Sequence, residues 1–175
     1  MIIVIEGIDR VGKTTLCNML SSQLDIAVFK DSRMVELENI PSYQKADAAV
    51  SSMNTIVNMY EQLYASCDLS IVLDRFHATE YVYGTLERNS FVYKANEYFE
   101  AIEKRLEEQD YLFVLVKPTD IKESSKQHGK NLEMYETAFE ALFEKIPEEY
   151  KIKTDYNHLN EVVAEIKRRI ELWAN

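Results

Sequence analysis

Ile2–Leu20, IIVIEGIDRVGKTTLCNML, decides how this 175-residue chain is read. Met1 to Ile5 is a short apolar run rich in β-branched side chains, the composition of a central buried strand. It passes directly into Gly7-Ile8-Asp9-Arg10-Val11-Gly12-Lys13-Thr14, a GxxxxGKT loop, and then into a helix with Leu16, Met19, Leu20 and Leu24 at turn spacing. Strand, glycine loop and helix follow in the order a phosphate-cradling loop requires. Gly7 and Gly12 let the backbone turn its N–H groups toward a polyphosphate, and the helix start adds unpaired donors and the positive end of a dipole. Lys13 is placed to reach β- and γ-phosphates, and the Thr14 hydroxyl to ligate Mg²⁺. The expected set for binding a nucleoside triphosphate, or another phosphate-bearing ligand, is Gly7, Val11, Gly12, Lys13, Thr14 and Thr15.

Working outward, Ile26 to Phe29 reads as a second strand ending in the polar tip Lys30-Asp31-Ser32-Arg33. After Pro41, residues 45 to 65 carry a helical stripe of Met53, Ile56, Val57, Tyr60, Leu63 and Tyr64, the pattern of helix packing. Leu69 to Leu73 is a buried-strand run that stops at Asp74-Arg75, and the C-terminal edge of a parallel sheet is where open α/β folds bind ligands. Phe76 to Gly84 is dense in aromatic and contact-making side chains, and Leu86 to Gln109 has helical character. Tyr111 to Val116 is another strand, stopped by Pro118. Thr119 to Asn131 is polar; its Lys122, Lys126, His128 and Lys130 suit either a small lid over donor phosphates or a solvated connection. Asn131 to Ile146 reads as a helix ended by Pro147, Tyr150 to Thr154 as a weak edge strand, and Asn160 to Trp173 as a terminal helix. This order predicts an α/β protein, a mostly parallel central sheet with helices on both faces in a P-loop NTPase fold. The expected organisation is one domain over residues 1–175, with 119–131 a possible lid within it.

Composition narrows the function classes. Two cysteines do not make a secreted disulfide framework, and no apolar run has the length of a membrane span, so a soluble cytoplasmic protein is expected. The formal net charge of −10 argues against DNA or RNA as a partner. A phosphate ligand would have to be met by a local cluster such as Arg10, Lys13, Arg33 and Arg75. Three scattered histidines, at 77, 128 and 158, make no zinc pattern.

Phosphoryl transfer asks for concentrated positive charge, Mg²⁺ and an aligned acceptor. Arg10, inside the loop itself, is suited to bridge donor and acceptor oxygens in the transition state where it faces the transferred group; a solvent-facing arginine is the alternative. Asp9 can accept from a sugar hydroxyl or a metal-bound water, and Glu6 can hold a neighbouring backbone turn or a metal-bound water. Asp74 is the candidate metal residue beside Thr14, behind the direct ligands or acting through water, and Arg75 offers a bidentate grip on an acceptor phosphate. An ion pair or helix cap is the alternative for Asp74 and Arg75. His77 and Glu80 suit ligand contact or helix packing equally.

Glu6-Gly7-Ile8-Asp9-Arg10-Val11-Gly12-Lys13-Thr14-Thr15 resembles the opening of thymidylate kinases, and Asp74-Arg75-Phe76 with Thr79, Val82 and Tyr83 is similar to that family's second signature. The resemblance implies a phosphotransferase making dTDP from dTMP with ATP and Mg²⁺. It implies Arg10, Lys13 and Arg75 as catalytic residues, Arg10 being the arginine supplied by the loop where the lid has none. It implies an acceptor site of Asp9, Arg33, Arg75, Phe76 and Tyr83, small nucleotides as the only ligands, and a possible helix-built homodimer. Gly84 stands where that family has glutamine, and residues 45–65 contain no arginine of the kind that reads thymine.

Two other functions compete. A deoxynucleoside kinase would need a carboxylate to activate a 5′-hydroxyl, for which Asp31 or Glu36 is placed. A nucleotide-dependent switch, or a catalytically inactive kinase-like protein, would keep the loop without the transfer.

Overall fold

The structure, a computed structural model, describes residues 1–30, 42–67, 69–87, 95–128 and 131–173. Arg33, Asp31, Glu36 and Lys130 lie outside the described residues.

Strand β1 (Ile2–Glu6) is buried along its whole length, as the apolar run Ile2 to Ile5 requires of a strand covered on both faces. Helix α1 (Lys13–Leu24) follows the glycine loop and buries Leu16, Cys17 and Leu20. The chain continues through β2 (Ala27–Lys30), α2 (Ser42–Cys67), β3 (Ile71–Asp74), α3 (His77–Leu86) and α4 (Ala95–Glu107). It ends with β4 (Tyr111–Lys117), α5 (Ile121–His128), α6 (Leu132–Phe143), β5 (Lys151–Asp155) and α7 (Leu159–Trp173), with short 3₁₀ turns on either side of β5. The five described strands form one sheet in the order β2-β3-β1-β4-β5, every pair parallel. Helices α1 and α7 pack together, while α2, α3, α4 and α6 pack among themselves, so the sheet is flanked by helices as expected.

Register decides what meets at the C-terminal edge of the sheet. Ile5 pairs with Asp74 and Lys30 pairs with Asp74, so β1, β2 and β3 end level. The loop after β1 and the turn after β3 therefore open on the same side.

Several boundaries differ from the sequence expectation. Phe76 to Gly84, marked in the sequence only by its contact-making side chains, supplies most of α3, which runs from His77 to Leu86; of the helical stretch expected from Leu86 to Gln109, Ala95–Glu107 is α4, and residues 88–94 lie outside the described residues. The residues of α3 face the core on nearly every side, which hides helical periodicity; Ala78, Thr79, Glu80, Val82 and Tyr83 are all buried. Thr119 to Asn131 contains helix α5, started by Asp120, whose Oδ1 accepts from the Lys122 and Glu123 N–H groups at 2.9 and 3.1 Å. Asn131 caps α6 by accepting from Glu133 N–H at 3.2 Å. Tyr150 to Thr154 proves to be a regular parallel edge strand, running from Lys151 to Asp155.

Among the described residues, no helix is long and apolar enough to cross a membrane. Cys17 packs in the core, and burial, with Asp74 nearby, pushes its thiol up to about 12, so it serves as a small apolar residue.

Candidate active site

The loop is shaped by its two glycines. Gly7 has φ 131 and Gly12 φ 102, and at Gly7 a Cβ would stand 2.2 Å from the Val116 carbonyl oxygen of β4. Only glycine lets the loop cross β4 that closely. Gly12 is also the N-cap of α1; it offers no side-chain acceptor, and the first turn has no acidic residue. The N–H groups at the start of α1 thus remain available to an anion, with the dipole in their favour.

Lys13 is buried, and its Nζ donates to the Ile8 carbonyl inside the loop. Burial, followed by the Arg75 guanidinium, pulls its pKa down to about 7, against the opposing pull of Asp9, Glu6 and Asp74. A phosphate arriving at the loop supplies the negative charge that favours the ammonium. Thr14 Oγ1 donates to Asp74 Oδ2 at 3.2 Å, placing a hydroxyl and a carboxylate side by side at the ends of α1 and β3. These hard oxygen donors suit Mg²⁺, which takes few protein ligands and completes its shell with water and phosphate oxygens. Among the described residues, no group of three or more His, Cys, Asp or Glu is arranged to hold a metal.

Across the loop stands Arg75, in the turn between β3 and α3. Its guanidinium pairs with Asp9 and lies 5.8 Å from the centre of the Tyr83 ring. Burial works against its charge, but Asp9, Tyr83 and Glu6 outweigh it and raise the Arg75 pKa. Tyr83 is pushed up to about 12 by burial and then by Asp9, so it remains a neutral phenol. Both Arg10 (φ 61) and Arg75 (φ 73) hold left-handed backbone conformations. Such strain in non-glycine residues gathers where function over-determines the local structure.

Eight of the expected residues line one cleft of about 550 Å³: Asp9, Arg10, Gly12, Lys13, Thr14, Thr15, Asp74 and Arg75. Lys30 and Tyr156 complete it. Val11 and Phe76 are buried beside it, Phe76 only 1% exposed, and Tyr83 lies behind Arg75. Tyr156, on the 3₁₀ turn after β5, stands against Gly12 and is 56% exposed. No motif marks it in the sequence; only the packing of that turn against the loop brings it in.

Glu6 and His77 face inward. Glu6 Oε1 accepts the Phe76 N–H at 2.8 Å and the Thr79 N–H at 3.1 Å, and its Oε2 accepts the Thr79 hydroxyl. Of its two expected roles, it performs that of holding a turn. His77 is buried, pairs through Nε2 with Glu103 of α4, and stacks on Phe99 with ring centres 5.0 Å apart. Tyr111 of β4 donates to the same carboxylate at 3.1 Å, and its pKa is raised well above normal by burial and then by Glu103. His77 therefore serves packing between α3, α4 and β4.

No protein-family model and no curated protein sequence matches the chain. Solved structures do share its shape. The YorR protein of Bacillus subtilis, determined in complex with phosphorylated GDP, aligns with a TM-score of 0.70 at 17% identity, over 99% of this chain and 98% of that one. Thymidylate kinase of Ehrlichia chaffeensis gives 0.52 at 15% identity, over 97% and 98%. Deoxyadenosine kinase of M. mycoides, with dCMP and dCDP bound, gives 0.50 at 15% identity, over 98% and 99%. These likenesses establish the fold: a parallel α/β P-loop architecture of the kind found in thymidylate and deoxyadenosine kinases.

Proposed function

We propose that the chain is a nucleotide kinase that transfers the γ-phosphoryl group of ATP to a deoxynucleoside monophosphate, with dTMP to dTDP as the foremost reaction. The observation that carries this reading is the charge of the cleft. In a protein of net charge −10, Arg10, Lys13, Lys30 and Arg75 meet there against only Asp9 and Asp74. A triphosphate held by the loop accounts for Lys13 and the α1 N-terminus. Arg75, across the loop, has the planar fork for a second phosphate.

In the proposed mechanism the acceptor phosphate displaces Asp9 from Arg75, exchanging one anion for another. Asp9 is then available to the sugar hydroxyl, and Tyr83 borders the nucleoside with Phe76 behind it; Arg33 completes the acceptor grip. An acceptor phosphate oxygen attacks the γ-phosphorus in line while the bond to the ADP oxygen breaks. Arg10 and Lys13 stabilise the charge on the transferring group. Thr14 and Asp74 would hold Mg²⁺, which neutralises phosphate charge when bound. The whole chain acts as one cytoplasmic kinase domain, and residues 119–131 close over the donor with Lys122 and Lys126.

A second acceptor class has its own support. YorR was determined with a guanine nucleotide, and here Glu80 is buried on α3 one turn before Tyr83. A carboxylate accepts from guanine N1–H and N2–H, whereas the carbonyls of thymine would repel it.

The test is ADP release with ATP and Mg²⁺ against every deoxynucleoside and ribonucleoside monophosphate and every unphosphorylated nucleoside, with products identified by mass. Turnover of dTMP supports the foremost reading, and turnover of dGMP or GMP without dTMP moves it to guanine. Turnover of nucleosides alone overturns the phosphate role of Arg75 and turns attention to Asp31 and Glu36. Nucleotide binding without any acceptor-dependent turnover leaves a switch or an inactive kinase-like protein.

A further inference from the structure

We infer that Glu6 is a positioning residue that locks the Arg75 turn to the end of β1, where the phosphate loop begins, so that the acceptor grip is held in place beside the donor site. What Arg75 grips rests on the kinase reading above.

Glu6 ends β1, immediately before Gly7, and has no solvent exposure. A carboxylate in that position needs donors, and a bare one would be heavily penalised. It finds three, all in the segment that follows Arg75: the N–H groups of Phe76 and Thr79 and the Thr79 hydroxyl. Helix α3 lacks a cap of its own, because its N-cap residue is Phe76, which has no side-chain acceptor. Glu6 supplies from a neighbouring strand what a Ser, Thr or Asp normally supplies from within the chain, and it brings a negative charge to the positive end of α3.

The turn it holds is strained. Arg75 sits at φ 73, and Phe76 follows at φ −155, ψ −130. The Arg75 N–H donates to the Ile5 carbonyl at 3.0 Å, and the next N–H, that of Phe76, goes to Glu6. Two successive peptide groups of the turn are thus tied to the last two residues of β1. The residue after those is Gly7, the first of the loop, so the Arg75 backbone cannot shift relative to the start of the loop without breaking these bonds. The carboxylate also attracts both cations electrostatically, Lys13 on the donor side and Arg75 on the acceptor side.

Four full-length proteins test this: wild type, Glu6→Gln, Thr79→Val and Thr79→Ser. Steady-state constants for ATP and acceptor are measured together with amide hydrogen exchange over residues 71–86. Loosening the turn should lower kcat/KM for the acceptor about tenfold in Glu6→Gln and Thr79→Val, with the KM for ATP within about twofold of wild type. Thr79→Ser, which keeps the hydroxyl, should remain within about twofold for both substrates. Exchange at Phe76 and Thr79 should quicken about tenfold while β3 stays protected. If both KM values move together, or stability falls while acceptor kinetics hold, Glu6 is a structural residue only and the inference fails. If Glu6→Gln does not fold, the Thr79→Val and Thr79→Ser pair carries the test. Wild-type protein without turnover on any acceptor would overturn the kinase reading instead; unchanged exchange at Phe76 and Thr79 would then overturn the lock, and faster exchange would support it.

Discussion

Replacing Gly7 with alanine should destabilise the fold more than the same change at Gly12, although both glycines belong to one motif. At Gly7 the new Cβ would lie 2.2 Å from the Val116 carbonyl oxygen, and φ is 131. Carbon and carbonyl oxygen settle at about 3.3 Å or more, so the loop must retreat from β4 by about 1 Å. Val116 cannot yield: it is 1% exposed, in a strand paired on both sides. Backbone strain alone is worth about 1–3 kcal/mol, and with the clash a loss of about 3 kcal/mol or more is expected. For a chain of this size that is a fall in Tm of about 6–12 °C. At Gly12, φ 102 carries similar backbone strain, but the Cβ would meet Tyr156 Cδ2 at 2.7 Å, the side of a ring exposed enough to swing away. Its fall in Tm should be about half as large, and Tyr156→Ala should relieve part of it. Thermal unfolding followed by circular dichroism, at one pH and one ionic strength, measures all three variants. A Gly7→Ala protein melting within about 2 °C of wild type, or no lower than Gly12→Ala, would refute the reasoning.

Other residues give further tests. Because the Lys13 pKa is lowered to about 7 from 10.5, the unfolded chain holds a proton across that window that the folded chain has released. Lys13 therefore opposes folding fully below pH 7, and its opposition fades as pH rises toward 10.5. A triphosphate favours the charged form, so donor binding at pH 8 should take up close to one proton; calorimetry in buffers of different ionisation enthalpy measures it, and Lys13→Met should abolish it. Asp74→Asn should raise the Mg²⁺ concentration for half-maximal rate about tenfold or more, with unchanged dependence counting against the metal assignment. Arg10→Ala should lower kcat by about 10²-fold with ATP affinity nearly preserved; a rate close to wild type would place Arg10 outside the transition state.

Residues close together in the chain were the legible part of this protein. Strand, glycine loop and helix from Ile2 to Leu20 are local: apolar run, Gly7, Gly12, Lys13 and Thr14 carry their own geometry wherever the chain goes. The parallel α/β architecture followed from the alternation of strands and helices, and Asp74-Arg75 at the end of an apolar run pointed to the sheet edge that forms the cleft. Helix α3 escaped because burial on nearly every side erased the period by which a helix is recognised, and α5 because its exposed polar residues read as a loop.

Pairings between distant residues required the tertiary structure. Sheet register, not sequence spacing, sets Ile5 and Lys30 level with Asp74 and brings Thr14 within 3.2 Å of its carboxylate, sixty residues away. Whether His77 faced a ligand or the core depended on where Glu103 and Tyr111 arrived, and Tyr156 entered the cleft only because its turn folds against Gly12. Sequence by itself determined the phosphate loop and the succession of strands along the chain, because backbone preference and hydrophobic period act over a few residues. Tertiary structure alone decided that Glu6 holds the Arg75 turn, because a buried carboxylate takes its donors from whatever chain packing places beside it.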